Sequence, residues 1–172
     1  LMRSGYAVID NFVDGEATDG IVSLVRESLQ VYPELQQDGI QWKHPSPRNA
    51  RGDLTTWLAE GKRPAIDPVL QDTVMPSFRS LQEDLGKVLR MSGSSEQQLA
   101  WYPGDGAGYK RHTDAMPDDD GENDQRKVTA ILYCNAEWEP EHGGVLRLWL
   151  SDKEGGGVVE VEPVAGRVLL FL

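Results

Sequence analysis

Residues 127–172 read KVTAILYCNAEWEPEHGGVLRLWLSDKEGGGVVEVEPVAGRVLLFL, and this stretch decides the fold class. Four runs rich in Val, Ile, Leu and aromatic residues, Lys127–Asn135, Gly144–Leu150, Val158–Val161 and Arg167–Leu172, are separated by segments rich in Gly, Pro, Asp and Glu. β-branched and aromatic runs bounded by turn formers are strands. Toward the N-terminus, Tyr109–Asp114 and Gln97–Tyr102 extend the series back to Gly93. Short strands at nearly regular spacing predict a sandwich or jelly roll.

The first half has a different rhythm. Gly5–Phe12 predicts one strand, after which Ile21, Leu24, Val25, Ser28 and Leu29 recur at helical spacing, with Asp14 or Thr18 as the cap and Pro33 as the stop. A second helical stripe runs through Val74, Phe78, Leu81, Leu85, Val88 and Leu89, with Pro76 in its first turn. The two helices are expected to cover an outer face of the strands. Between them, Gln36–Arg63 keeps no period and holds Trp42, His44, Arg48, Arg51, Asp53 and Trp57. It reads as a long loop with one short hairpin, of the kind that serves as a lid.

The 172 residues fit a single domain, and the one cysteine, Cys134, excludes a disulfide framework. Seventeen basic against 28 acidic residues leave a formal net charge of −11. Such a chain repels phosphate backbones and anionic lipid surfaces, so neither nucleic acid nor a membrane is expected as partner. No apolar run approaches the 18–20 or so residues of a membrane span. The expectation is a soluble cytoplasmic protein. Leu1 at the start and the apolar run at the end predict a piece of a longer chain whose last strands are missing. The acidic run Asp118–Asp124 reads as a solvated hairpin tip, since the closing glutamate of a calcium loop is absent.

Three histidines are present, His44, His112 and His142. In Lys110-Arg111-His112-Thr113-Asp114, residues two apart on a strand share a face, so His112 and Asp114 converge. An imidazole and a carboxylate, joined by a second histidine, form the facial triad of non-haem iron(II). Residues alone leave two other readings open, a surface pair and a carboxylate that orients a histidine. By the same alternation Thr129, Ile131 and Tyr133 share one face, and Leu146 and Leu148 share another.

The run Trp101-Tyr102-Pro103-Gly104-Asp105-Gly106-Ala107-Gly108-Tyr109-Lys110-Arg111-His112-Thr113-Asp114 resembles the signature of the prolyl hydroxylases that modify hypoxia-inducible factor, and of their microbial relatives. Gly5–Phe12, Arg51-Gly52-Asp53 with Thr56-Trp57, Val128–Tyr133 with Asn135 and Trp138, and Gly143–Arg147 agree in order, so the resemblance covers nearly the whole chain. It implies a double-stranded β-helix (jelly roll) with two N-terminal supporting helices. Residues 1–92 would be helical support and lid, and residues 93–172 jelly-roll strands.

The resemblance further implies iron(II) held by His112 and Asp114, with the third ligand, a histidine, after Leu172. It implies 2-oxoglutarate as cosubstrate, lined by Tyr102, Thr129, Tyr133 and Leu146 and clamped by an arginine also after Leu172, with ascorbate as an accessory cofactor. Arg51, Asp53, Trp57, Tyr109 and Arg126 would belong to the substrate-facing lid. The implied reaction is hydroxylation of a prolyl residue in a protein, as in oxygen sensing, by a monomer in the cytoplasm, or also the nucleus of a eukaryote. The 172 residues by themselves are expected to be inactive. Two other outcomes stay open: a jelly-roll interaction module without activity, and the same chemistry on another side chain or a small molecule.

Overall fold

The computed structural model describes residues 1, 4–30, 50–57, 70–89, 91, 95–114, 128–152 and 155–172. His44, Arg126, the acidic run 118–124 and most of the expected lid lie outside the described residues. The chain forms two compact units, Leu1–Asp19 with His112–Leu172, and Gly20–Arg111.

In the first unit, strands β1 (Tyr6–Ile9), β7 (Val168–Phe171) and β4 (Thr129–Leu132) form an antiparallel sheet in the order β1-β7-β4. Tyr6 stands opposite Phe171 and Ile9 opposite Val168, while Thr129 pairs with Phe171 and Leu132 with Val168 on the other side. The VLLF run is apolar throughout because it is covered on both faces, and Val168 and Leu169 have no exposed surface. Both edges of this run are paired, with β1 on one side and β4 on the other. Strands β5 (Leu146–Trp149) and β6 (Val158–Val161) make a separate hairpin in which Leu146 faces Val161 and Trp149 faces Val158.

The chain enters β7 through Gly166, whose φ of +77° suits glycine alone. Its N–H donates to the Tyr133 carbonyl (3.0 Å) and its carbonyl accepts from Phe12 N–H (2.8 Å). A Cβ there would lie 2.8 Å from the Val13 carbonyl oxygen. Beside it Arg167 grips Asp10 through Nε (2.6 Å) and donates to the Glu162 carbonyl (3.0 Å). The hydrogen bond from Arg167 holds the Asp10 carboxyl below its ordinary range.

Helix α1 (Gly15–Gln30) begins where the sequence places it. Asp14 is the cap, its Oδ1 accepting from Ala17 N–H at 2.8 Å, whereas Thr18 lies inside the helix and donates to the Gly15 carbonyl. Ala17, Ile21 and Val25, four residues apart, form its buried stripe.

In the second unit, β2 (Leu54–Trp57) pairs antiparallel with β3 (Gln98–Trp101), Leu54 opposite Trp101 and Trp57 opposite Gln98. The described part of the expected loop is thus a strand in a long-range pair. A π-helical turn (Leu70–Val74) runs into helix α2 (Met75–Gly86), with Pro76 in its first turn as expected. The helix stops short of Val88 and Leu89. Lys87 N–H and Val88 N–H turn back to the Asp84 and Leu85 carbonyls, and Val88 is 66% exposed.

The expected strand Tyr109–Asp114 is corrected. Tyr109 makes one isolated bridge to Arg51, supported by bonds from Gly52 N–H to the Gly108 carbonyl and from Lys110 N–H to the Ala50 carbonyl, and residues 110–114 are irregular. Their alternation has no neighbouring strand to pair with among the described residues. No helix of the described residues is long and apolar enough to cross a membrane.

Candidate active site

His112 and Asp114 meet although they are not on a strand. Nε2 of His112 lies 2.9 Å from Oδ1 of Asp114, with the imidazole about one-third exposed and the carboxylate less so. That spacing makes a hydrogen bond. It also suits a metal, because two ligand atoms about 2.1 Å from one ion and at right angles to each other lie about 3.0 Å apart. The other oxygen, Oδ2, accepts a 2.7 Å hydrogen bond from Thr129 Oγ1 at the start of β4. Among the described residues no third His, Cys, Asp or Glu joins the pair. The donor set, one imidazole nitrogen and one carboxylate oxygen, fits two of the three protein ligands of an iron(II) facial triad.

Tyr133 and Leu146 belong to the same unit. Tyr133 follows β4, with its N–H bonded to the Arg167 carbonyl, and its phenolic oxygen is shut off from solvent. Leu146 and Leu148 are the half-buried positions of β5, and Arg147 and Trp149 are the exposed ones. His142 is committed elsewhere, as its Nδ1 accepts from Glu139 N–H in the 3-10 turn Pro140–His142.

The second unit gathers the remaining candidates. Arg51 donates from Nε and Nη2 to the two oxygens of Asp53 at 2.8 and 2.6 Å, and Asp53 has no exposed surface. The pair is therefore no surface salt bridge. The guanidinium carbon sits 4.2 Å above the Tyr109 ring centroid, a cation–π distance, and Nη2 also reaches Gln98 Oε1 at 3.5 Å. Hydrogen bonding to Asp53 raises the Arg51 pKa. Tyr102 is 44% exposed and otherwise buried. That burial, with the Asp53 charge beside it, pushes the phenol up to about 12. Trp57 ends β2 and is 55% exposed.

Sequence reasoning missed Gln98 as a partner of Arg51, and it missed the Thr129–Asp114 bond. Neither contact has a local signal, because each joins residues from distant parts of the chain.

The family model described as the 2OG-Fe(II) oxygenase superfamily matches residues 97–172, and the two-residue donor set fits that class. The chain is 32% identical to rat Egl nine homolog 1 over 99% of its own length, and spans 49% of that protein. It is 33% identical to the mouse prolyl hydroxylase EGLN3, covering 99% of this chain and 70% of that one. Among solved structures, a Pseudomonas putida prolyl-4-hydroxylase superposes with a TM-score of 0.78 at 27% identity, over 100% of this chain and 82% of that one. A Trichoplax adhaerens prolyl hydroxylase, in complex with a peptide fragment of the hypoxia-inducible factor oxygen degradation domain, gives 0.69 at 27% identity, over 99% and 74%. The chain belongs to the iron(II) and 2-oxoglutarate dependent prolyl hydroxylase family. Its fold is the mainly-β jelly roll of these neighbours.

Proposed function

We propose that this protein hydroxylates a prolyl residue of a protein substrate, consuming dioxygen and 2-oxoglutarate and releasing succinate and carbon dioxide. One oxygen atom enters the prolyl C–H bond and the other enters succinate. The observation that carries the reading is the 2.9 Å approach of His112 Nε2 to Asp114 Oδ1 in a chain of this family. Support for a protein substrate comes from the Trichoplax relative, which holds a peptide. The same family reading extends to ascorbate as accessory cofactor, a monomeric state and a cytoplasmic site of action.

His112 and Asp114 would hold the iron, which when bound supplies the activation of dioxygen that the protein's own side chains lack. His112 offers Nε2 as a neutral imidazole, and Asp114 offers Oδ1 as one anionic ligand. Tyr133 presents a buried hydroxyl, a donor suited to a carboxylate of the cosubstrate, and Leu146 presents an apolar wall. No side chain has to act as general base. The residues therefore bind, orient and exclude water.

The test is anaerobic iron(II) titration of the full-length protein and its Asp114→Ala variant, with succinate release measured on a prolyl peptide. Loss of metal affinity in the variant is expected, and unchanged affinity overturns the assignment. For Tyr133→Phe, losing one hydrogen bond to a charged acceptor costs about 1.5–3 kcal/mol. The 2-oxoglutarate requirement should then rise roughly ten- to a hundredfold. A Tyr133→Phe protein that is less stable but has the same requirement removes Tyr133 from the cosubstrate pocket.

A further inference from the structure

We infer that Thr129 is a positioning residue for the metal, acting through Asp114: its hydroxyl turns the carboxylate so that Oδ1 alone faces the iron. This rests on the proposed metal site, and differs from the role in lining 2-oxoglutarate that family resemblance implies for Thr129. Oδ2 accepts from Thr129 Oγ1 at 2.7 Å while Oδ1 lies 2.9 Å from His112 Nε2, so the two oxygens are turned to different partners.

Three features give this bond its weight. Residues 112–114 are in no strand, so the backbone ladder does not fix where Asp114 sits relative to the sheet. Thr129, by contrast, is the first residue of β4 and is in register with Phe171 of the central strand β7. Its β-branched side chain is stiff about χ1, so the hydroxyl is a fixed post. A carboxylate has a broad, nearly two-fold torsion about its last bond, and a hydrogen bond to one oxygen selects an orientation. Partners that orient metal ligands in this way contribute strongly to affinity.

The consequence is the number of coordination positions left open. With Oδ2 held by Thr129, Asp114 would offer a metal one oxygen, Oδ1. A carboxylate released from that bond can bind through both oxygens, occupying a position that a chelating cosubstrate or dioxygen needs.

The experiment is Mn(II) titration of the full-length protein, with free Mn(II) read by EPR, alongside Thr129→Val, Thr129→Ser and Asp114→Ala, each checked for its Tm. Thr129→Val should bind Mn(II) about 10- to 100-fold more weakly, the usual cost of losing such a partner. Thr129→Ser, which keeps the hydroxyl, should recover most of the affinity. The apparent 2-oxoglutarate requirement, measured at saturating metal, separates the alternatives. A role confined to the cosubstrate pocket moves that requirement and leaves Mn(II) affinity alone, which overturns the inference. So does a serine variant as weak as the valine one. If Asp114→Ala binds Mn(II) as well as the unsubstituted protein, or the unsubstituted protein binds none, the metal site itself falls and the inference with it. If Asp114→Ala loses Mn(II) and Thr129→Val keeps it, only the inference falls.

Discussion

Asp53 is a charge with no exposed surface, and what makes it tolerable is the two-pronged grip of Arg51 on both its oxygens. Removing one partner of such a pair leaves the other charge stranded, which costs about 3–5 kcal/mol. Asp53→Ala should therefore lower the Tm markedly, and a calorimetric melt checks it. Cys134 gives the pH counterpart. Burial pushes its thiol from 9.0 up to about 12. A raised folded-state value means that its contribution is complete below pH 9 and is lost as the pH climbs toward 12, to a limit of about 4 kcal/mol. Tyr102, lifted from 10.0 to about 12, acts in the same direction over a narrower range. Unfolding free energy should fall between pH 9 and 12, and fall less steeply in Cys134→Ala, as denaturant melts across that range would show. At this scale the sequence was readable where a motif is short. His112 and Asp114 stand two apart and meet, though not through the strand geometry the sequence predicts. The Thr129 bond spans 15 positions and the Arg51–Gln98 contact 47, so neither leaves a mark that a local pattern can carry.

Strands rich in β-branched and aromatic residues were legible, some of them shorter at the ends in the structure. Val158–Val161 matched fully, while Arg167–Leu172 became Val168–Phe171. Two elements were misread for one reason, the absence of pairing information in a single segment. Tyr109–Asp114 is expected as a strand but finds no described strand to pair with beyond one bridge, whereas Leu54–Trp57 looks like loop and is a strand because β3 lies beside it. Turn chemistry at Gly166 was also invisible, since a lone glycine does not announce a positive φ. Gly166→Ala should be destabilising. A left-handed residue with a side chain costs roughly 1–2 kcal/mol, and here the new Cβ also strikes the Val13 carbonyl oxygen. At 2–4 °C per kcal/mol for a protein of this size, the Tm should drop by about 2–8 °C before the clash is counted. A variant that melts with the parent would show that the Gly166 turn yields without cost.

At the scale of the molecule, the central strand of the β1-β7-β4 sheet is the last of the strands in sequence, and one of its two neighbours is the first. A chain lacking residues 1–10 loses the whole of β1 and the Asp10 partner of Arg167, leaving one side of β7 as a bare apolar edge. Such a chain should aggregate where the intact one does not, a difference that light scattering during expression and refolding would read. The acidic net charge, legible from composition alone, opposes that aggregation without replacing the lost strand. Asp10 and Arg167 are 157 residues apart in sequence, and that distance is also an interval of time on the ribosome. At about 5–20 residues per second, β1 leaves the exit tunnel on the order of ten seconds or more before its partner has been made. Through that wait β1 lacks the strand it pairs with, so the β1–β7 ladder can form only after translation has reached β7.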